Sequence, residues 1–443
     1  MKKIIVAGGG HGGIAAASLL ASRGYDVTVC EKNSAGKLGY DWTDIFDPKS
    51  LAEIEMPMPA ADKYEYKEHM TFYAPGFHTA LRQDIPQKKL EIKMERSDIY
   101  AHIISNAEKN GAKFIYDCEV LAPITAGDRV VGIKTSRGDV YGDLVIDACG
   151  IDSPVKRGLP KMCGVNPEVG KNNQFYVYRA FYNKASDEEV KDKYKVCLFA
   201  EGKLGIGWVA TEAAHTDLLI GRFAPFDLDE ANRTANYYRS GNPSLGTDLV
   251  RGGQFVKIPV RQPLSKLVCH GYAAIGDCAY MTVPIIGSGI ANSFRAARLL
   301  ADTVTADTDG AYSAETLWDY QVKYYKRLGS GFAVLACVKE ALTLFTPDEL
   351  DYLFDNGVIT AKDMSIDADT TNIFDIMSGN TFDSYKTKVV KVVKDPKLLK
   401  KILKVGRKIS GVMAATAVMP RQYSKTSVDG WVARYERAIS AEL

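Results

Sequence analysis

The apolar and glycine positions of the first thirty residues predict a strand, a helix and a second strand. Ile4-Ile5-Val6-Ala7 is a continuous apolar run, typical of a buried parallel strand. Glycines cluster over residues 8–13, and a helix-forming run follows over residues 14–22, with Gly24 suited to the end of the helix. Residues 26–31 predict the next strand. The chain therefore opens with a βαβ unit.

The pattern changes several times after this opening. Residues 32–90 are rich in proline and aromatic residues and predict irregular structure. A helix over 97–110 and strands over 113–119, 129–136 and 140–148 follow, and β-rich runs between 172 and 265 predict an antiparallel sheet. Residues 272–275 form a short buried strand, with a helix from about 289 to 302. From residue 317 onward the pattern is mostly helical.

Composition and charge narrow the class of protein. A chain of 443 residues predicts two or three folding units, and its net charge of +2 gives no reason to expect nucleic acid as a partner. The eight cysteines include no C-x-x-C pair, so we expect no metal site and no dithiol centre. The apolar runs at 4–7 and 409–419 are too short for a signal peptide and a membrane span, respectively. We therefore expect a cytoplasmic protein.

A glycine-rich turn with dinucleotide-binding spacing joins the first strand to the first helix. The sequence Gly8-Gly9-Gly10-His11-Gly12-Gly13 satisfies G-x-G-x-x-G. Gly8 permits the tight turn, Gly10 lets the backbone approach a pyrophosphate at the helix N-terminus, and Gly13 allows close helix–strand packing. Glu31 ends the second strand, where a carboxylate accepts hydrogen bonds from a ribose diol and disfavours a 2′-phosphate. The turn predicts FAD or NAD, with Lys32 beside the acid as a further contact.

A second glycine motif separates these two cofactors. A buried strand ends in Gly276-Asp277, and Pro284-Ile285-Ile286-Gly287-Ser288-Gly289-Ile290 follows. Here the sequence resembles the FAD enzymes related to para-hydroxybenzoate hydroxylase and to the geranylgeranyl reductases. The resemblance implies that Asp277 binds the ribityl chain of FAD and that Pro284, Gly287, Gly289 and Ile290 lie beside the isoalloxazine ring. A helix starting near Gly289 also directs its positive end at a ring that gains negative charge on reduction. The alternative role for Asp277 is an ordinary helix N-cap.

Three further positions match this superfamily. Arg96 opens the helix that follows Met94-Glu95, where the resemblance implies a contact with the FAD phosphates; a solvated surface arginine is the alternative. Val120, at the end of the strand over 114–120, falls where the backbone meets the adenine. Gly150 follows Cys149, which replaces the aspartate that the aromatic hydroxylases use, and this replacement weakens a hydroxylase assignment.

The resemblance implies a fold of the α/β class. A Rossmann-type FAD-binding domain, with a parallel sheet and a βαβ start, is expected over 1–60, 91–171 and 266–330. A substrate domain with a mixed antiparallel sheet interrupts it over 61–90 and 172–265. A helical C-terminal region is expected over 331–443.

The substrate is less well defined. Residues 204–211 resemble a degraded form of the geranylgeranyl reductase signature, in which Trp208 fits but Ile206 and Thr211 depart from the aromatic and the proline. Trp208, Tyr40 and Trp42 are candidates for the substrate side of the flavin, with ordinary core packing as the alternative.

No second G-x-G-x-x-G occurs, so NAD(P)H or a protein donor is expected as a transient reductant. A reductase of C=C bonds in a hydrophobic or CoA- or lipid-linked substrate is the leading hypothesis. The alternatives are a hydroxylase of an aromatic or lipophilic substrate and a non-catalytic lipid-binding escort.

Residues 386–408 form a basic segment. Lys and Arg alternate there with apolar residues, and Leu398, Ile402 and Val405 share one helical face. Such a helix indicates contact with a membrane surface or an anionic ligand, which would place the protein at the inner face of the membrane. The alternative is a solvated helix whose apolar face packs on the core.

Overall fold

The computed structural model describes residues 1–166, 168–170, 172–186, 190–365, 388, 391–393 and 395–443. Lys386, Val389, Val390 and Lys394 of the basic segment lie outside these residues. The strands, in chain order, are β1 (Lys3–Ala7), β2 (Asp26–Cys30), β3 (Thr43–Phe46), β4 (Tyr64–Tyr66), β5 (Met70–Tyr73), β6 (Ala80–Arg82), β7 (Ile92–Glu95), β8 (Lys113–Ile115), β9 (Val120–Ala126), β10 (Arg129–Thr135), β11 (Gly138–Tyr141), β12 (Leu144–Asp147), β13 (Gln174–Lys184), β14 (Tyr194–Leu198), β15 (Gly205–Thr211), β16 (His215–Arg222), β17 (Leu245–Pro259), β18 (Val268–Cys269) and β19 (Tyr272–Ala274).

The α-helices follow the same order. They are α1 (His11–Ser22), α2 (Lys49–Glu53), α3 (Arg96–Lys109), α4 (Pro154–Gly158), α5 (Leu228–Ser240), α6 (Ile290–Ala306), α7 (Ala314–Tyr324), α8 (Ser330–Leu342), α9 (Pro347–Asp355), α10 (Ala361–Met364), α11 (Pro396–Ala417) and α12 (Lys425–Ser440). A π-helical turn, Tyr325–Gly329, joins α7 to α8.

The six-stranded sheet carries the βαβ opening. Its order is β18-β19-β12-β1-β2-β8, and all neighbours run parallel except β18 and β19. The apolar residues of β1 are all buried, as expected for a central parallel strand covered on both faces. Helix α1 packs against α3 and α6, while the three-stranded sheet β11-β10-β9 contacts β12 and β1. This arrangement brings the carboxyl ends of β1, β2, β12 and β19 to one edge.

The seven-stranded sheet has the order β17-β13-β16-β15-β14-β5-β6 and is antiparallel except for β14 and β5. It separates two apolar clusters. One includes Trp42 and Phe175, with Trp208 packed against it. The other includes Tyr238 of α5, a helix that the β-rich pattern of 172–265 did not predict. This helix forms because Asp227 accepts a hydrogen bond from the Glu230 N–H as N-cap and because its buried residues recur at helical spacing.

Two local predictions differ from the structure. Val120 does not end a strand over 114–120: β8 ends at Ile115, and Val120 begins β9 of the three-stranded sheet. Residues 64–66, expected in the substrate domain, form β4 of a small sheet β3-β7-β4 instead. The remaining strands between 61 and 90, β5 and β6, do belong to the seven-stranded sheet.

The C-terminal region is helical in its described part. Helix α11 packs against α8 and α12. Among the described residues no single helix is long and apolar enough to cross a membrane. One bent pair, Ala314–Leu342 with Pro347–Asp355, meets the length and composition test with a bend of 113°.

Candidate functional site

The glycine turn after β1 lies directly against the end of β12. A Cβ atom on Gly8 or Gly10 would lie 2.9 Å from the Ala148 carbonyl oxygen, and one on Gly13 would lie 2.6 Å from the Ala148 Cβ. Gly8 also has a φ of +86°, which favours glycine. Only glycine fits at these three positions, so the chain from Gly8 to Gly10 is bare backbone where it enters α1. Such a turn can hold a pyrophosphate against free N–H groups.

Glu31 organises the same turn from the next strand. Its Oε2 accepts a hydrogen bond from the Gly9 N–H at 2.7 Å, and its Oε1 accepts from the Asn33 backbone N–H and side-chain amide at 2.8 and 2.7 Å. The side chain is buried, whereas Lys32 is exposed to solvent. The carboxylate thus lies at the glycine turn, where the ribose of a dinucleotide is expected.

The two glycine motifs meet in space. A Cβ atom on Gly12 would lie 3.0 Å from the Ser293 Cβ of α6 and 3.1 Å from Ile275, which precedes Gly276-Asp277. A Cβ atom on Gly289 would lie 3.5 Å from Asp277 Oδ1. The two motifs are separated by more than 260 positions in the sequence. The N-termini of α1 and α6 nevertheless flank one site.

Asp277 lies at this junction, within reach of the charges of Arg96 and Lys156. Burial raises the pKa of its carboxyl group to about 6, and the nearby charges of Arg96 and Lys156 oppose this increase. Lys156 is 1% exposed and donates to the carbonyl oxygen of Cys278 at 2.9 Å, with its ammonium group 4.1 Å from the centre of the Tyr280 ring.

The turn over residues 283–290 joins this junction to the seven-stranded sheet. The Gly287 N–H donates to the Val283 carbonyl oxygen at 2.8 Å, and the Val283 N–H donates to Ser288 at 2.9 Å. Pro284 is buried, Ile290 begins α6, and Gly287 has a φ of +71°. A Cβ atom there would lie 3.1 Å from Ile258 of β17.

Arg96 is held by a carboxylate beside the junction. Its Nε and Nη2 donate to the two oxygens of Asp44 at 2.5 and 2.6 Å. Its guanidinium group lies 5.1 Å from the centre of the Tyr40 ring and 5.6 Å from that of Trp42. Tyr40 is 43% exposed, whereas Trp42 is 3% exposed. The Nε1 of Trp42 has no partner among the described residues.

A second buried ion pair, which the sequence analysis did not identify, lies on the sheet face behind Trp42. Arg179 of β13 donates to both oxygens of Asp217 at 2.9 and 2.6 Å and to the Thr43 carbonyl oxygen and hydroxyl at 2.6 and 2.8 Å. Trp208 donates from Nε1 to Asp217 at 3.4 Å. Arg179 thus lies within 5.5 Å of the ring centres of both Trp42 and Trp208.

The structure brings most of the predicted positions together. The glycines of the first turn, Glu31, Arg96, Asp277 and the 284–290 turn surround one site. Gly150, with a φ of +78°, lies just after β12, where Asp147 accepts hydrogen bonds from Ser153 and Tyr272 at 2.6 and 3.0 Å.

These residues fit FAD. The glycine cradle would be filled by any Cβ atom, and the fully buried His11 Nε2 at the start of α1 has no partner among the described residues. An unpartnered buried nitrogen costs roughly 1–3 kcal/mol, which a ligand atom can offset. The Asp277 carboxylate offers an acceptor at the other end of the site.

Comparisons with known proteins agree with this geometry. Residues 6–74 match the model of an NAD(P)-binding Rossmann-like domain. The structure is similar to a geranylgeranyl bacteriochlorophyll reductase-like protein of Thermoplasma acidophilum, with a TM-score of 0.73 and 19% identity, over 91% of this chain and 99% of that one. A probable FAD-dependent monooxygenase of Pseudomonas aeruginosa gives a TM-score of 0.57 at 16% identity, over 80% and 99% of the two chains. The chain has the fold of an FAD-dependent oxidoreductase.

Sequence relatives point to one branch of this class. A digeranylgeranylglycerophospholipid reductase of Methanothrix thermoacetophila is 24% identical over 393 residues, covering 82% of this chain and 92% of the relative. The enzyme of that name from Haloferax volcanii is 24% identical over 353 residues, covering 73% and 82%. The predicted fold class and the predicted resemblance to the geranylgeranyl reductases are therefore confirmed. The predictions of an oxidoreductase and of FAD as its cofactor agree with these matches.

Proposed function

We propose that the chain is an FAD-dependent reductase of C=C bonds in a hydrophobic, lipid-linked substrate. The observation that carries this proposal is the meeting of the two glycine motifs, with Asp277 and the N-termini of α1 and α6 at one site. FAD, once reduced, supplies the hydride for such a reaction. The relatives' names supply the substrate class.

Each part of the site has a role in this proposal. The glycine turn and the N-terminus of α1 bind the pyrophosphate, and Glu31 accepts from the adenosine ribose. Asp277 accepts from the ribityl chain. The N-terminus of α6, at Gly289 and Ile290, faces the ring, where its partial positive charge stabilises a reduced, anionic flavin.

The apolar face of the seven-stranded sheet suits a hydrophobic substrate. Trp42, Phe175 and Ile206 belong to its cluster, and Trp208 and Ile258 pack against it. The turn with Gly287 contacts Ile258, so this face adjoins the side of the site assigned to the flavin ring. We assign Trp42 and Trp208 to the substrate side of the flavin, with Tyr40 at its exposed edge. A nicotinamide nucleotide or a protein donor delivers the electrons.

The solvent-facing side of α11 supports contact with a membrane surface. Lys397, Lys400, Lys404 and Arg407 are exposed and form no ion pair within the described part of the chain, and Leu403 between them is 61% exposed. The opposite side packs on the protein: Leu398 is buried, and Lys401 and Lys408 pair with Glu349 and Glu340 at 2.6 Å. Four exposed cations around an exposed leucine match an anionic lipid headgroup layer.

Flotation with vesicles tests the membrane contact. Lys400→Glu/Lys404→Glu should lose binding to phosphatidylglycerol vesicles, because each cation near an anionic surface contributes about 1 kcal/mol. The matched control, Lys134→Glu/Lys161→Glu, reverses two exposed lysines elsewhere. Equal binding by both double variants would contradict the proposal.

Product analysis tests the reaction. Purified protein is loaded with FAD, reduced by dithionite without oxygen, and mixed with digeranylgeranylglycerophospholipid in detergent. Mass spectrometry should show the gain of two hydrogens for each double bond reduced. After admission of oxygen, a product with one added oxygen atom would establish a hydroxylase instead. A colourless protein that takes up no FAD would establish a non-catalytic binding protein.

A further inference from the structure

His11 occupies an unusual place for an ionisable side chain. It is the first residue of α1, inside the glycine turn, and its ring stacks on Tyr100 of α3 at 4.4 Å between centres. The ring also meets Phe294 of α6 edge-on at 6.5 Å. The imidazole is thus fixed between α3 and α6, at the N-terminus of α1.

The contacts of His11 leave its polar edge unused. Nε2 is fully buried and has no partner among the described residues. Buried nitrogens in proteins are nearly always hydrogen-bonded, so an orphan of this kind at a binding cradle indicates a ligand atom. The stacking on Tyr100 fixes the ring plane but satisfies neither nitrogen.

The charges around His11 belong to the same site. Burial and the nearby charge of Arg96 together lower the pKa of His11 to about 3, and Asp44 opposes this decrease. Arg96 also acts on Asp277, so His11, Arg96 and Asp277 share one electrostatic environment. The ring is therefore neutral at pH 7, with one N–H available as a donor and the other nitrogen as an acceptor.

We propose that His11 binds the pyrophosphate of FAD through a hydrogen bond from Nε2–H, in addition to the backbone contacts of the glycine turn. The position at the first residue of α1 supports the pyrophosphate as the acceptor, because helix N-termini bind phosphate oxygens. This inference rests on the proposed function only in that the chain must bind FAD. It assigns a cofactor contact to a side chain at a position that the G-x-G-x-x-G motif leaves free.

Two substitutions separate hydrogen bonding from packing. His11→Phe keeps an aromatic ring on Tyr100 and removes both nitrogens, whereas His11→Gln removes the ring and keeps a donor. If Nε2 binds the pyrophosphate, His11→Phe should bind FAD about three- to tenfold more weakly, as expected for one lost hydrogen bond. His11→Gln should bind more tightly than His11→Phe. The opposite order would show that the ring acts by packing alone and would overturn the proposal.

Equilibrium titration measures these affinities on the full-length chain with FAD and with ADP, which carries the pyrophosphate without the flavin. His11→Phe should weaken both ligands by a similar factor. A loss for FAD but not for ADP would overturn the assignment to the pyrophosphate. His78→Ala, at an exposed histidine paired with Asp355, is the control and should leave both affinities unchanged.

The two proposals fail in different ways. A wild-type chain that binds no FAD contradicts the proposed function. A wild-type chain that binds FAD, with His11→Phe equal to it, contradicts only the role of His11. Thermal melting of the cofactor-free variants shows whether they fold. If His11→Phe does not fold, His11→Gln is compared with wild type instead. A tenfold or greater loss of FAD affinity in His11→Gln would then contradict the proposal.

Discussion

Removing one partner of the Arg179–Asp217 pair should destabilise the fold strongly. The two side chains are 5% and 1% exposed, and Arg179 makes four hydrogen bonds, two to Asp217 and two to Thr43. Asp217→Leu leaves the guanidinium group buried beside three aromatic rings without its counter-charge. Breaking a buried pair in this way costs about 3–5 kcal/mol, because the remaining charge cannot be solvated.

A double-mutant cycle measures how much of this loss comes from the uncompensated charge. Arg179→Met alone should also cost about 3–5 kcal/mol, since among the described residues it leaves the Asp217 carboxylate with the long contact to Trp208 alone. In Arg179→Met/Asp217→Leu neither charge of the pair is present. The total loss of stability should therefore be smaller than the sum of the single losses by several kcal/mol. The Thr43 oxygens still lose their donors, and about 1–3 kcal/mol of destabilisation should remain.

Equilibrium urea unfolding followed by circular dichroism gives these free energies. Asp152→Leu is the matched control: Asp152 is 56% exposed and its partners Arg157 and Lys257 are 55% and 47% exposed. A surface pair of this kind contributes less than about 1 kcal/mol. Single variants of the buried pair that lose no more than this control, or losses that add in the double variant, would refute the reasoning.

Three further predictions concern the cofactor site. Gly13→Val should lower stability by about 1–3 kcal/mol, because its Cβ would overlap Ala148, whereas Gly406→Ala, with nothing within 4 Å, should raise it by about 0.5–1 kcal/mol; melting curves compare the two. Glu31→Gln should weaken FAD binding about five- to tenfold in titrations, since a neutral amide accepts more weakly from the Gly9 N–H, and an unchanged dissociation constant would contradict this. Because burial raises the pKa of Asp277 from 3.8 to about 6, the folded chain retains a proton that the unfolded chain has released between about pH 4 and 6. Stability of the cofactor-free chain should therefore fall as pH rises through this window, and urea unfolding of Asp277→Asn should lack this part of the fall.

The cofactor half of the fold could be read from the sequence because its signals are local. Glycines that lack space for a Cβ atom, an apolar strand before them and an acid at the end of the next strand are all visible within about thirty residues. The helix predicted from residue 289 begins at Ile290. Such features need no knowledge of the distant parts of the chain.

The seven-stranded sheet and its surroundings depend on long-range contacts that no local sequence pattern predicts. Arg179 stands in the strand Gln174–Lys184 among aromatic residues, and only its partners Asp217 and Thr43, from two other strands, explain a charge at a buried position. Lys156 acts on Asp277 from more than a hundred positions away. The helix Leu228–Ser240 was missed because its acids and polar residues lie within a β-rich region, although Asp227 before Asp229 and Glu230 is an N-cap signal.

The Arg179–Thr43 contacts join two separate parts of the fold. They tie strand β13 of the large sheet to strand β3, which follows directly after Tyr40 and Trp42. Because both bonds would have to break before β3 could separate from β13, we expect the segment with Tyr40 and Trp42 to move together with the seven-stranded sheet. A hinge between them would take two partners from the buried guanidinium group of Arg179, and this loss opposes such a movement.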